Sequence, residues 1–466
     1  MQSKYDILQE NEQDPQKTGQ EIAHMLETYL SPLLFVLDRL LDKRLVRTLV
    51  QVCVAIIRFR NNKQGLLLSE LGSYLTGYQG EAVNAPAGTK RISNLLRSLK
   101  WSVLQIDRYL LDEAGKEVKK LREQGKRILC IWDGSVLEKP ESCKIEGLCP
   151  VVSSKAKRLH RSRKGLVFNF PPKKAITVTG MQWTGALITG MEGMIRVALM
   201  SWWTTKGDYA TNLREQEEAL LRKCVRQWGD ILLHIFDRGY ASGPWIQVLQ
   251  SLRVKFVIRW KKGHFFFNMN GEKKKLWQIG QGKKYLAHKQ IHDLHTGEKM
   301  PCDLWWAPVW HAAYTYQLYI VKVRVKKKVW YLITNEQIIT ENQAWEIFFA
   351  YRRRWQIETS FRYGKCELAM ESPRLWSFEN RLKLLGIVTL VYTFLLYLLE
   401  PTYRNLVQSV LRFKCHRTGK RCREVIAPLY RLRWAISRLW NDSHPVLGSL
   451  FPPNLETIRA LASLKC

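Results

Sequence analysis

Two short apolar runs, each ending in an aspartate, constrain this chain more than any other feature. Residues 128–132 read Ile-Leu-Cys-Ile-Trp and lead into Asp133-Gly134; residues 231–236 read Ile-Leu-Leu-His-Ile-Phe and lead into Asp237. Runs this short, bounded by charge or a turn, have the length of a strand buried on both faces. Residues 212–228 carry apolar side chains at helical spacing, residues 245–253 read as a second helix, and residues 175–179 and 193–201 are further strand candidates. Strands alternating with helices predict an α/β fold. Both aspartates are expected at the C-terminal ends of neighbouring strands, the edge where open α/β sheets hold their ligands.

The rest of the chain divides by texture. Residues 1–125 read as helical, with residues 33–58 apolar at helical spacing and a Gly/Ala/Pro-containing break at 80–88. Residues 90–97 then form a short basic amphipathic helix candidate, whose Lys90, Arg91 and Arg97 fit either a DNA groove or a solvated face. The core is expected over residues 126–254 and 335–400. It is interrupted by a β-rich insertion at 255–334, where 255–260, 264–269, 314–325 and 329–334 are strand-like around a Gly/Lys turn region at 271–284. Helix returns from 341 to about 365. Residues 384–399 are nearly charge-free but shorter than the roughly 20 residues a bilayer requires, which predicts a buried core helix and no membrane partner. Residues 401–466 are basic and helical, a candidate dimerisation region.

Charge narrows the partner. The chain has 74 Lys and Arg against 41 Asp and Glu, a net charge of +33. A field of that sign favours a polyanion, nucleic acid being the commonest. The lysines and arginines of 153–174 add a basic segment inside the core. Ten cysteines are scattered, and Cys415, His416 and Cys422 lack the paired spacing of a zinc site. The first twenty residues are polar, with no secretory signal, so a reduced cytoplasmic setting is expected.

The third acid comes from the segment around Glu358. On one helix with Tyr351 at 0°, Arg354 falls at about 300°, Glu358 at about 340°, Arg362 at about 20° and Lys365 at about 320°. One stripe would thus carry a tyrosine, a single carboxylate and three cations. An Arg354–Glu358 pair on a solvated face explains two of these residues but not the stripe. A carboxylate among cations suits a hard-metal ligand beside bound phosphates. Phosphodiester chemistry calls for such a set: two Mg²⁺ ions, with Mn²⁺ as a substitute, held by Asp133, Asp237 and Glu358, while arginine and lysine neutralise phosphate oxygens.

Tyr351, Arg354, Glu358 and Lys365, separated by two, three and six residues, resemble the YREK signature of the insertion-sequence-four family of bacterial DDE transposases. Residues 237–240 (Asp-Arg-Gly-Tyr), with Arg238, resemble that family's motif around its second acid, and residues 131–134 its motif around the first. The resemblance implies a ribonuclease-H-like catalytic core holding the β-rich insertion, and a homodimeric synaptic complex that cuts transposon-end inverted repeats and joins them to target DNA. It implies excision through a DNA hairpin, with a tryptophan stacking on a flipped base, for which the matching residue is Trp330. It also implies a bacterial or archaeal, nucleoid-associated setting. Two other readings stay open: a ribonuclease-H-like nuclease that cuts without joining, and a transposase-derived repressor that binds DNA without cutting it.

Overall fold

A computed structural model describes residues 14–76, 85–142, 144–155, 158–161, 167–170, 175–293, 297–414, 428–445 and 447. Cys143, Cys415, His416, Cys422 and Cys466 lie outside the described residues, as do residues 80–84 of the expected break, most of the basic 162–174 stretch and much of the 401–466 tail. Helices α1 (Pro15–Asp38), α2 (Lys43–Arg58), α3 (Leu68–Thr76), α4 (Ala85–Arg97) and α5 (Val103–Glu123) come first. Strands β1 (Ile128–Glu138), β2 (Cys149–Val152), β3 (Arg158–Arg161), β4 (Val167–Phe170), β5 (Thr177–Gly190) and β6 (Arg196–Trp203) follow. Next come α6 (Leu213–Trp228), β7 (Leu232–Phe236), α7 (Gly243–Ser251), β8 (Lys255–Arg259), β9 (Phe265–Phe267), β10 (Lys273–Lys275) and α8 (Leu276–Ile279). Strands β11 (Ala287–His292), β12 (Lys299–His311), β13 (Tyr314–Val325) and β14 (Lys328–Thr334) complete the strands. The last helices are α9 (Glu341–Arg352), α10 (Trp355–Cys366), α11 (Phe378–Leu398), α12 (Arg404–Lys414) and α13 (Pro428–Ser443).

The chain divides into two compact units: Leu110–Phe361, and Met1–Tyr109 together with Arg362–Cys466. The first is built on a mixed sheet with strand order β10-β9-β12-β13-β14-β8-β7-β1-β5-β2, with β11 on β12 and β6 on β5. Its centre is the run β6-β5-β1-β7-β8, in which β6, β5 and β1 are antiparallel and β7 and β8 run parallel to β1. The helix expected at 212–228 is α6. The Asn212 side chain accepts from Glu215 N at its start, and Gly229 closes it at φ 64°, a backbone that glycine adopts without penalty.

The second unit is helical. In α2 nearly every residue from Leu49 to Arg58 is buried, and Arg433 of α13 is wholly buried against its end, donating to Phe59 O at 2.7 Å and Asn62 Oδ1 at 2.9 Å. Helix α11 contains the apolar 384–399 run up to Leu398 and is long and apolar enough to cross a bilayer, but 89% of its apolar window is buried inside the protein. That matches the expected core helix.

Two local expectations are corrected. Asp133 does not end its strand: β1 runs on to Glu138, because its pairing with β5 continues from Asp133↔Gly185 to Glu138↔Gly180 after its pairing with β7 has stopped at Ile131↔Ile235. The helix expected from 341 to about 365 is two helices, α9 and α10, broken at Arg353 and Arg354. Arg353 donates to Thr189 Oγ1 at 2.7 Å and Gly193 O at 2.6 Å, which anchors the turn to the end of β5. Tyr351 and Glu358 therefore do not share one straight helical stripe.

Candidate active site

Parallel register sets the first two acids. The last β1–β7 pair is Ile131↔Ile235, and Asp133 and Asp237 each stand two residues beyond it. Beneath them Trp132, His234 and Phe236 stack, with Trp132–Phe236 and Trp132–His234 ring centres both 6.0 Å apart. Trp132 Nε1 donates to His234 Nδ1 at 2.9 Å, and burial pushes the imidazole down to about 3, so it stays neutral. The residues next to each acid are thus locked by apolar packing, and the strand ends have little freedom to splay. Asp237 Oδ1 accepts from Gly239 N at 2.6 Å and caps the tight turn Arg238–Tyr240, leaving Arg238 exposed.

Glu358 is brought by α10. Opposite Asp133 on β5 stands Gly185, where an added Cβ would meet Met200 Sδ and the Phe361 ring, each at 3.1 Å. That missing side chain lets Phe361 lie on the strand, 4.5 Å ring to ring from Trp183, and seats the turn of α10 that carries Glu358. Arg354 joins the acids: Nη1 donates to Asp133 Oδ2 at 2.9 Å and Nη2 to Glu358 Oε1. Its Nε is buried without a partner.

The electrostatics follow. Asp133 is pushed up to about 7, first by burial; Arg354 opposes the rise, and Asp237 and then Glu358 add to it. Burial works against the charge on Arg354, but Tyr351, Asp133 and Glu358 outweigh it and hold the guanidinium charged. Three carboxylates are the hard oxygen donors a divalent cation takes, and their crowding is what such an ion relieves. They are not assembled as a cage: no group of three His, Cys, Asp or Glu among the described residues is placed to hold an ion. Arg354 takes that interior position and supplies the positive charge.

The other expected residues fall in several places. Tyr351 is buried at the end of α9, 6.1 Å ring to ring from Trp330, and burial raises its hydroxyl. Trp330 on β14 is half-buried, 6.2 Å from Phe348, with the Arg259 guanidinium 5.3 Å from its ring. Val329, the next residue back on β14, is 39% exposed. It lies near the β13–β14 hairpin turn, paired with Arg324. Arg362 is exposed and Lys365 half-buried, both past Phe361 on α10 and hence in the helical unit. Lys90 and Arg97 are exposed on α4 and Arg91 is half-buried there, above a buried stripe of Ile92, Leu95 and Leu96. The helix thus carries a basic face over a buried apolar stripe.

One group behind the site went unread in the sequence. Glu217 on α6 is 3% exposed and accepts from Arg214 Nη1 at 2.7 Å. Arg214 Nη2 reaches Gly239 O at 3.4 Å, so through Arg214 this acid braces the turn after Asp237. Its carboxyl is pushed up to about 7, chiefly by burial and also by Asp237. The signal was an acid on the stripe of Leu220, Leu221, Cys224 and Trp228, the face of an amphipathic helix that packs inward.

Residues 210–394 match the family described as the transposase DDE domain; the matched stretch holds Asp237 and Glu358 and begins beyond Asp133. No curated protein matches the chain. Among solved structures, a piggyBac transposase synaptic complex with hairpin DNA is similar over 97% of this chain and 84% of that one, at 12% identity and a TM-score of 0.39, a likeness too distant to carry weight.

Proposed function

We propose that the chain is a DDE-class DNA transposase whose reaction centre is Asp133, Asp237 and Glu358. The observation that carries this is the placing of two aspartates at matched positions past the last β1–β7 pair, with Glu358 tied to the same cluster through Arg354. The match of 210–394 to a transposase DDE domain supports it independently. The order β6-β5-β1-β7-β8, antiparallel then parallel, supports a ribonuclease-H-like core; it takes in β8 (Lys255–Arg259), expected in the insertion at 255–334, and leaves β9–β14 as the candidate β-rich insertion. The signature Tyr351, Arg354, Glu358 and Lys365 favours the insertion-sequence-four family. The proposed organisation is a DNA-binding region at 1–125, a core at 126–254 joined by β8 and by 335–361, the insertion over β9–β14 and a dimerising tail at 401–466.

In this reading Asp133, Asp237 and Glu358 hold Mg²⁺, or Mn²⁺ in its place, as two ions per site. The chemistry such ions would supply there is polarisation of the phosphodiester and activation of a water or 3′-hydroxyl. This chain's own groups do the rest. Asp237 is fixed by its turn. Arg354 gives up its carboxylate partners to bind a phosphate oxygen, joined by Lys365, Arg362, Arg238 and Tyr351 along the backbone. Trp330 receives a base unstacked at the transposon end. The enzyme acts as a homodimer on double-stranded DNA, cutting inverted repeats through a hairpin and joining them to target, in a bacterial or archaeal cytoplasm. The test is cleavage and strand transfer on DNA bearing the element's own ends, with Mg²⁺ or Mn²⁺. Cutting without joining would indicate a nuclease, and binding without either a repressor.

A further inference from the structure

The helical unit contains a cleft of about 510 Å³ between the start of α2 and the middle of α4, lined by Asp42, Arg44, Arg47, Thr48, Gln51, Arg91 and Asn94 among others. Three arginines face one space, and none has a carboxylate partner among the described ion pairs. Arg44 and Arg47 are exposed, while Arg91 is half-buried and held by its bond to Gln51 Oε1. The acid in the cleft is Asp42, whose Oδ1 is taken by the amides of Arg44 at 2.9 Å and Leu45 at 3.0 Å as the cap of α2. The walls are firmly set. Gly88 of α4 touches Gly72 of α3 so closely that an added Cβ would stand 2.1 Å from Gly72 O. Thr89 Oγ1 donates to Leu68 O at 3.1 Å, and Lys383 Nζ reaches Leu96 O and Ser98 O at 3.0 and 2.8 Å at the far end of α4.

We propose that this cleft is a clamp for the phosphate backbone of DNA, formed by Arg44 and Arg47 of α2 with Arg91 of α4. It rests on the reading that the chain acts on DNA. Arginine forks without acid partners, on helices whose spacing is fixed, meet phosphate oxygens at little ordering cost. Contacts of this kind position a duplex and do not read its sequence. Arg91 belonged to the basic helix expected at 90–97, but its partners Arg44 and Arg47 lie more than forty residues away in sequence and only the fold joins them.

The test uses the full chain in EDTA, so that cleavage is silent, with a labelled duplex of arbitrary sequence and binding followed by fluorescence anisotropy across salt concentrations. Each backbone contact contributes about 0.9 to the slope of log affinity on log salt. Arg44→Ala, Arg47→Ala and Arg91→Ala are each expected to flatten the slope by about that amount, and the triple variant by roughly 2.7. Asp42→Asn keeps a competent cap and is expected to tighten binding at low salt. Arg→Lys at all three positions retains the slope, which separates loss of charge from loss of fold. An unchanged slope in a triple alanine variant that melts normally overturns the clamp. So does loss of tripolyphosphate binding with the duplex slope intact, which would assign the cleft to a free anion. The outcome is independent of the reaction centre: a normal clamp with inactive acids refutes the proposed chemistry alone, and active acids with an unchanged slope refute the clamp alone.

Discussion

The acid cluster of the sheet unit and the arginine cleft of the helical unit use charge in opposite ways. Around Asp133 the charges are partly buried and already compensated. Arg354 is 14% exposed at its side chain and Asp133 16%, and they are bonded to each other. In the cleft Arg44 and Arg47 are exposed and carry no acid partner among the described ion pairs. Burial makes charge expensive, so a buried cluster must be neutralised from within, and its members shift their proton affinities until it is. Exposed charge costs little and shifts little, and its value lies in attraction. A chain of net charge +33 has the second kind of site at hand almost anywhere on its surface, whereas the first needs a fold to assemble it.

Removing an acid should break this contrast most sharply. Asp133→Asn, Asp237→Asn or Glu358→Gln is expected to lower cleavage roughly a thousandfold or more, since several kcal/mol of transition-state stabilisation depends on the set. The salt slope of DNA binding should not change, which anisotropy checks. Equal loss of cleavage and of slope would merge the two sites into one.

Arg354 tests the inner compensation. Arg354→Ala leaves Asp133 and Glu358 without the cation between them, and breaking such a buried contact costs about 3 kcal/mol or more. Arg354 holds the Asp133 carboxyl below where burial alone would put it, so the variant's carboxyl should rise further above about 7. The destabilisation should therefore be small at pH 5, where the acid is protonated in either protein, and grow as pH rises through neutrality. Urea midpoints at pH 5 and 8 measure it, and a loss equal at both would deny the coupling.

How much of this was legible depended on whether the signal was local. Asp133, Asp237 and Glu358 stood at recognisable places because strand runs and an i,i+4 pair are short-range patterns. The extent of β1 did not, because its second half is held by β5 and its end, Glu138, is set by Gly180, distant in sequence. The break at Arg353 was hidden for a similar reason: α9 and α10 each read as helix, and what parts them is a bond to Thr189. Gly185 reads as a poor strand residue until Phe361 is placed on it. The helical unit, assembled from both ends of the chain, has no signature in composition, since burial of residues such as Arg433 depends on contacts that span most of the sequence.

Glu217 sharpens the comparison from behind the site. Its folded carboxyl sits near 7 against an ordinary 4.5. The folded state therefore keeps a proton that the unfolded state has lost between those values, and stability falls as pH rises across that window. Glu217→Gln keeps a group that can bond Arg214, and removes a share of about 3 kcal/mol from the fall. Asp133 contributes its own fall over the same range and remains. Urea midpoints at pH 4.5 and 8 should show the variant gaining on wild type as pH rises. A constant difference would mean that the buried acid is ionised throughout.

Trp330 gives the smallest expected effect and separates packing from contact. Its ring lies against Phe348 and Tyr351 on one side and Arg259 on another, yet it is only half-buried. A ring serving the core alone would lower stability when removed, and nicking and hairpin formation would fall together. A ring that receives an unstacked base recovers roughly 1–3 kcal/mol of the unstacking cost at one step only. Trp330→Ala should then leave the first nick nearly normal and slow hairpin formation by roughly five- to 160-fold, the rate equivalent of that energy. Replacing the unstacked nucleotide by an abasic one removes the cost and should restore most of the lost rate, which a packing defect cannot do. Because Arg259 faces the same ring, Arg259→Ala should reproduce part of the hairpin defect. A parallel decline of both steps, with a lowered melting temperature and no abasic rescue, would return Trp330 to the core.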